Sequence, residues 1–346
     1  MNSPAEYRTL QTVKRFALLT LAVALSSCHA TVRPPADPRS LSTARVTTAE
    51  LLRLSVGERR PEVKFIITSF GDPTQRALTL LDGHFYRLHD EWYWMNLLNG
   101  RAVPGSDTDP LSSLGLGSVA EAYAWAKTHP LPLDLAWSED GRLYSGEFYE
   151  QCLQVERRYG LGSLVQLPRA GAEAPPRWVF QLEFVDLPRV EDLLVYFDVL
   201  QRALPPELAS SLQWLTRSPE QEALARQLTA RYPRLAGRTL RLRDLPAFGR
   251  VEVYSEGITA GHVRLFRDQE PEPGTTSADD LLVLSAAPGE LPAAAGLITA
   301  TPQTPLAHVT LLAQDRGIPN VFVAQAFDDP ALAVAEANDG MAILRA

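Results

Sequence analysis

The feature that most constrains the fold is an ordered run of short elements near the C-terminal end of the chain. Leu281–Leu284, Gly296–Thr299 and Asn320–Ala324 have the apolar composition of short buried strands. An apolar pattern at residues 309–313 predicts a helix between the second and the third of them. Arg316–Pro319 then supplies a basic residue, a glycine and a proline in the order typical of a helix end. This alternation of strands with a helix predicts an α/β fold.

The residues before this run predict a larger part of mixed secondary structure. Its patterns predict strands at Val63–Phe70, Ala77–Leu81, His84–Trp94 and Trp178–Phe184, and helices at Val190–Leu204 and Ser218–Arg231. Further on, Val251–Tyr254 and Val263–Phe266 predict strands on either side of a turn at residues 256–262. We therefore expect an α+β N-terminal domain at residues 49–248 and a second domain at residues 249–346.

Residues 1–27 have the features of a bacterial lipoprotein signal peptide. A basic flank precedes the apolar run Phe16–Leu25, which is too short to span a bilayer. The small residues after it lead into Cys28, and LSSC resembles a lipobox, whose cysteine is lipidated; the alternative is an ordinary signal peptide with an incidental cysteine. Residues 28–48 would form a tether. We expect a protein anchored by lipid in the bacterial cell envelope, on the periplasmic face of a membrane.

Charge and cysteine content exclude some classes of function. The chain has 33 Lys and Arg against 41 Asp and Glu, a net charge of −8, so it lacks the basic surface that nucleic-acid binding needs. Its two cysteines cannot form a disulfide framework. With Cys28 lipidated, Cys152 would be a small buried apolar residue.

The larger part offers little obvious chemistry. His84 and His89 are imaginable metal ligands, but in a strand they would point to opposite faces, so we predict structural histidines and no metal site. Trp92, Tyr93 and Trp94 would be either core residues or a stacking platform for a sugar or base. We favour the core.

His308 is the candidate catalytic residue. It lies at the predicted start of a helix, directly after a loop that contains two prolines. Unpaired amides and the helix dipole favour a phosphoryl group at such a position. A neutral imidazole is also a nucleophile toward phosphorus, so the predicted chemistry is formation and discharge of a phosphohistidine.

The segment at residues 281–323 (LVLSAAP…GLITATPQTPLAHVTLLAQDRGIPNVFV) resembles the mobile phosphohistidine domain of PEP-utilising enzymes. These are the phosphoenolpyruvate synthase, pyruvate phosphate dikinase and glucan water dikinase families. The resemblance covers about residues 250–346 and implies a β/β/α swivelling domain. His308 matches the phosphorylated histidine, and residues 317–319 match the turn after its helix. Where the family has Gly-Gly-x-Thr-Ser, this chain has residues 303–307 (QTPLA), and Thr304 is the possible support for the loop.

The resemblance also implies partners. Such enzymes need an ATP-grasp nucleotide-binding domain, and neither that domain nor a phosphate-binding glycine loop is recognisable here. ATP and Mg²⁺ would belong to a partner domain in a longer chain or a separate protein, and this chain alone would hold no cofactor. Pyruvate or a related molecule would accept the phosphoryl group. The chain would then be the phosphohistidine-carrying part of a dikinase-like phosphotransferase. The alternative is a non-catalytic envelope lipoprotein that keeps the swivelling fold as a binding or structural module.

Overall fold

Two sheets organise the part of the chain that the structure describes. The computed structural model describes residues 39–57, 60–98, 111–132, 134–138, 141–167, 177–183, 185–245, 250–267 and 269–346. These residues belong to one compact unit with mixed helices and sheets. We call residues 39–245 the N-terminal region and residues 250–346 the C-terminal module. None of the helices in the described ranges has the length and apolar character to cross a bilayer.

The described strands of the N-terminal region form one large sheet and one small hairpin. The strands are β1 (Ser40–Ser42), β2 (Glu62–Thr68), β3 (Ala77–Leu81), β4 (Ala136–Trp137), β5 (Leu143–Tyr144), β6 (Gly160–Leu167), β7 (Arg177–Gln181), β8 (Gln213–Thr216) and β9 (Thr239–Arg241). The large sheet has the order β1-β3-β2-β6-β7-β8-β9, and β4 pairs with β5. Within the large sheet the neighbours from β1 through β3, β2 and β6 to β7 pair antiparallel, whereas β8 joins β7 and β9 in parallel.

Helices cover both faces of this sheet. They are α1 (Thr48–Leu54), α2 (His89–Asn96), α3 (Val119–Ala126), α4 (Gly146–Leu153), α5 (Val190–Ala203), α6 (Pro206–Ala209) and α7 (Pro219–Arg231). Side chains alternate along β2: Val63, Phe65 and Ile67 pack in the same apolar cluster as residues of α5. The opposite face of β2 carries Glu62 and Lys64, both buried.

The two longest helices were predicted correctly. The prediction of Val190–Leu204 corresponds to α5, and that of Ser218–Arg231 to α7. Ser218 is the N-cap of α7, where its side chain accepts a hydrogen bond from the backbone N–H of Gln221. The next residue is the proline at the first helical position.

The predicted strand at His84–Trp94 is wrong, because residues 89–96 form α2. The Glu91 carboxylate accepts hydrogen bonds from the backbone N–H groups of Arg87 and Leu88, at 2.7 and 3.0 Å, and so caps the start of the helix. All residues of α2 are buried, so the helix lacks a polar face and with it the periodicity that marks a surface helix. The three consecutive aromatics of α2 are core residues rather than a stacking platform.

The fold begins earlier than the predicted tether at residues 28–48 allows. Ser40–Ser42 pairs antiparallel with β3, and Ser42 Oγ hydrogen-bonds Thr79 Oγ1 at 2.8 Å. Thr47 caps α1 in a capping box with Glu50. Residues 40–48 therefore belong to the folded part. The prolines of the predicted tether lie outside the described residues.

The C-terminal module is a second sheet with helices. Its strands are β10 (Val251–Ser255), β11 (Ile258–Phe266), β12 (Asp280–Leu284), β13 (Gly296–Thr299), β14 (Asn320–Val323) and β15 (Met341–Arg345), and its helices are α8 (His308–Asp315) and α9 (Pro330–Ala337). The sheet order is β10-β14-β13-β12-β11-β15. Strands β11 to β14 pair in parallel, and β10 and β15 flank them antiparallel.

The predicted turn at residues 256–262 is mostly strand. β11 begins at Ile258, and Gly261 pairs with Ala342 of β15. A Cβ atom on Gly261 would lie 2.7 Å from the carbonyl oxygen of Asp279. This glycine therefore permits close approach of the neighbouring backbone rather than a turn.

Candidate functional site between the two sheets

His308 is the first residue of α8, in the C-terminal module. Its side chain is exposed, whereas Ala307 before it and Val309 after it are buried. The N-cap residue is Ala307, which has no side chain that could accept a hydrogen bond from the first-turn amides. The positive end of the helix dipole is thus presented beside the imidazole, as the sequence predicts.

The loop before His308 is held on the N-terminal region. The backbone N–H of Leu306 donates to Glu62 Oε2 at 2.6 Å. Gln181 Nε2 donates to Thr304 Oγ1 at 3.1 Å, so the hydroxyl that the sequence singles out contacts the large sheet. Both loop residues and both partners are buried. The conformation of this loop therefore depends on the other sheet.

The large sheet presents a row of polar side chains to this loop. Ser163 Oγ and Gln181 Nε2 donate to Glu62 Oε1 at 2.6 and 2.7 Å, which with Leu306 gives the carboxylate three donors. Strand pairing places Lys64 opposite Ser163, and Ser163 opposite Gln181. Glu183 lies two residues beyond Gln181, on the same face by strand alternation. Charged side chains are rarely buried unless they are paired. The polar side chains on this face of the sheet therefore suit contact with polar groups.

The module is also anchored by ion pairs. Arg60 Nη2 lies 3.3 Å from Glu252 Oε1, with the two side chains 3% and 7% exposed, and Arg60 also donates to the Gln303 carbonyl. At the C-terminal end of α8, Asp315 forms ion pairs with Arg87 and Arg142. Contacts at both ends of α8 thus fix its orientation, and with it that of His308.

A cavity of about 370 Å³ lies between the module and the N-terminal region. Its charged and titratable lining includes His308 from the module and Lys64, His89, Asp90 and Glu183 from the other side. Leucine and tyrosine side chains make up much of the remaining wall. This volume is in the range of small-molecule sites, which are concave and mostly apolar with a few placed polar groups.

The titratable side chains around the cavity differ in their protonation state at neutral pH. Burial, with a smaller effect of Lys64, lowers the pKa of His89 to about 4, and its Nε2 lies 3.0 Å from the Gly162 carbonyl oxygen. Burial and the neighbouring Glu91 raise the pKa of Asp90 to about 8. Burial alone would raise the pKa of Glu183, but interactions with nearby basic groups, Lys64 above all and then His89, Arg217 and His308, lower it to about 2. At neutral pH Glu183 is ionised, His89 is neutral and Asp90 is mostly protonated.

Other residues singled out by the sequence lie elsewhere. His84 is exposed, whereas His89 is buried in α2. Cys152 is buried in α4, and burial raises the pKa of its thiol well above the ordinary value, as expected of an inert core residue. Cys28 lies outside the described residues. Within the described ranges, no group of three or more His, Cys, Asp or Glu side chains is arranged to hold a metal ion.

Comparison with known proteins gave no relative: no family model, no curated protein and no solved structure matches this chain.

Sequence reasoning missed the N-terminal half of this site. Glu62 and Lys64 interrupt an apolar segment, and a spacing of two on a strand places them on one face. That pattern could have marked a polar face within the sheet. Glu183 and Arg142 carry no comparable pattern, because their contacts with the module depend on how the two sheets pack.

Proposed function

We propose that this chain carries a phosphoryl group on His308, as the phosphohistidine part of a dikinase-like phosphotransferase. The observation that carries the proposal is the exposed imidazole at the uncapped start of α8, on the wall of a cavity that also contains the buried ammonium of Lys64. A phosphoryl group there would meet the first-turn amides and a nearby positive charge.

The proposed chemistry uses the imidazole as the nucleophile. A ring nitrogen of His308 attacks phosphorus, the bond from phosphorus to the donor's leaving group breaks, and the imidazolium proton that results is lost to solvent. Discharge is the reverse sequence toward an acceptor, for which pyruvate or a related molecule is our proposal. As in the enzymes that the module resembles, ATP and Mg²⁺ would be bound by an ATP-grasp partner domain.

The same proposal assigns the module to the β/β/α swivelling phosphohistidine domains. In support, its central strands β11 to β14 are parallel and α8 connects β13 to β14, with the histidine at the helix start. The parallel strands alone do not indicate a function, because one fold carries many functions. The histidine is what distinguishes this proposal.

A second function has its own support. The buried pair of Arg60 and Glu252, together with Glu62 beneath the loop, fixes the module on the N-terminal region. A carrier that swivels would have to break these contacts at each transfer. We therefore keep, as the alternative proposal, a non-catalytic envelope lipoprotein in which the module is a fixed binding or structural part.

Labelling with a partner separates the two functions. The full chain is mixed with an active ATP-grasp domain of a phosphoenolpyruvate synthase and with γ- or β-labelled ATP. If the chain carries a phosphoryl group on His308, it should acquire a label that is acid-labile and base-stable. The label should be lost in His308→Ala and retained in His129→Ala; His129 is an exposed histidine outside the module. Persistent label in His308→Ala refutes the assignment. Absence of label in the unmodified chain, with a partner that labels its own module, favours the non-catalytic function.

A further inference from the structure

Lys64 is the least expected group in the cavity. It lies on the interior strand β2, is 5% exposed and lines the cavity. Within the described residues, Lys64 makes neither a hydrogen bond nor an ion pair. Burying an ammonium without acceptors is costly, so a group that supplies acceptors is expected beside it.

The neighbouring carboxylates do not bond the ammonium directly. The charge of Lys64 stabilises the Glu183 carboxylate more than any other basic group does, but the printed contacts of Glu183 are with Arg217 Nη1 at 4.0 Å and with the neutral His89 Nδ1 at 3.6 Å. Asp90 is mostly protonated at neutral pH and adds little negative charge. Arg142, the other cation on the cavity wall, is paired with Asp315. Lys64 thus has a carboxylate charge nearby but, among the described residues, no acceptor in hydrogen-bond contact.

The rest of the cavity wall indicates what a ligand contains besides a negatively charged group. The side chains of Leu143, Leu153, Leu306 and Leu311 line the cavity with the rings of two tyrosines. One of these rings, Tyr149, stacks on Tyr144 with centroids 5.4 Å apart and planes inclined by 11°. A small hydrophilic anion would leave most of this wall in contact with water, whereas an apolar body would cover it.

We infer that the cavity binds a small amphipathic carboxylate, with its carboxylate on Lys64 and an aromatic or aliphatic body against the leucine and tyrosine wall. The site is independent of phosphoryl transfer: it requires the cavity and Lys64, not a reactive His308. A free ligand with one negative charge suits the single ammonium of Lys64, whereas a phosphoryl group on His308 would also meet the first-turn amides of α8.

Calorimetry on the full chain tests this site with 3-phenylpropionate as the probe. We expect saturable binding of 3-phenylpropionate. The uncharged 3-phenylpropanamide should bind about tenfold or more weakly than the acid, because a charge-assisted hydrogen bond is lost. Pyruvate, which has the carboxylate without the apolar body, should bind more weakly than 3-phenylpropionate. Equal or tighter binding of pyruvate, or no binding of 3-phenylpropionate, overturns the inference.

Two variants locate the probe. Lys64→Met should weaken binding of 3-phenylpropionate about tenfold or more, whereas Lys127→Met, an exposed lysine, should leave it unchanged. Leu153→Trp fills the cavity from its partly exposed rim and should abolish binding while circular dichroism shows a folded chain. Unchanged binding in either Lys64→Met or Leu153→Trp contradicts the site. His308→Ala should still bind the probe, so this result and the phosphoryl label can fail separately.

Discussion

Leu306 N–H donates a 2.6 Å hydrogen bond to Glu62 Oε2, across 244 residues of sequence. The bond joins the loop before His308 to β2, an interior strand of the other sheet. Ser163 and Gln181 donate to the second carboxylate oxygen, so this one buried side chain connects three strands and a loop. Glu62 thus holds the loop that leads into His308.

Glu62→Gln should destabilise the chain. A glutamine amide has one oxygen and one NH₂ group, so its NH₂ must face either the Leu306 N–H or the donors from the sheet. We expect the free energy of unfolding to fall by about 3 kcal/mol, measured by denaturant titration. The control is Glu207→Gln on exposed α6, which should change it by less than about 0.5 kcal/mol. A Glu62→Gln protein as stable as the parent would contradict the role given to this carboxylate.

The ion pair of Arg60 with Glu252 should couple the two sheets. Arg60→Met removes the guanidinium beside the buried carboxylate of Glu252 and should cost about 3 kcal/mol of unfolding free energy. In a double-mutant cycle with Glu252→Gln, the two losses should be less than additive by more than about 1 kcal/mol. The exposed pair of Arg202 and Asp198 is the reference, with a coupling below about 0.5 kcal/mol. Additive losses at the buried pair would show that it does not join the sheets.

Much of the fold follows from local patterns, but its interface does not. Ser218, the following proline and the apolar spacing specify α7 without help from the rest of the chain. The prediction for α2 was wrong because its surroundings bury it all round, which removes the polar face that periodicity detects. His308 at the start of α8 was predictable from the loop, the apolar pattern and the RGIP end. Its partners on the other sheet were not, because packing between distant segments places them there.

Asp90→Asn should change how stability depends on pH. The pKa of Asp90 is raised from an ordinary value of 3.8 to about 8, so the folded state binds a proton that the unfolded state loses above pH 4. The stabilisation of the folded state by this bound proton is complete below pH 4 and disappears as pH rises to about 8. The substituted amide cannot ionise. The free energy of unfolding of the variant, relative to that of the parent, should therefore rise with pH, by about 2 kcal/mol or more at pH 8.

Thermal or denaturant unfolding at pH 4.5, 6 and 8 measures this difference. Asp198→Asn, at an exposed position of α5, should show no comparable trend. A difference between Asp90→Asn and the parent that is constant across the three pH values would mean that Asp90 ionises normally in the folded chain.

Cys28 should carry a lipid. The apolar run that ends in LSSC motivates the proposal of an envelope lipoprotein, anchored on the periplasmic face. Mass spectrometry of the membrane fraction from a bacterial host should show a mature chain that begins at a diacylglyceryl-modified Cys28. Cys28→Ser should keep the signal peptide uncleaved at this position. An intact N-terminus at Met1 in the soluble fraction would contradict the anchor.

Phosphorylation of the full chain by phosphoramidate, followed by ³¹P NMR, tests the central claim without any partner. The phosphorus–nitrogen bond of the reagent breaks, ammonia leaves with a proton, and a ring nitrogen of histidine takes the phosphoryl group. Because the helix start and the ammonium of Lys64 favour the charge, His308 should react at least about tenfold faster than the exposed His84 and His129. The fast phosphohistidine resonance should vanish in His308→Ala and persist in His129→Ala. Equal rates at all exposed histidines, or a fast resonance that survives His308→Ala, would contradict the account.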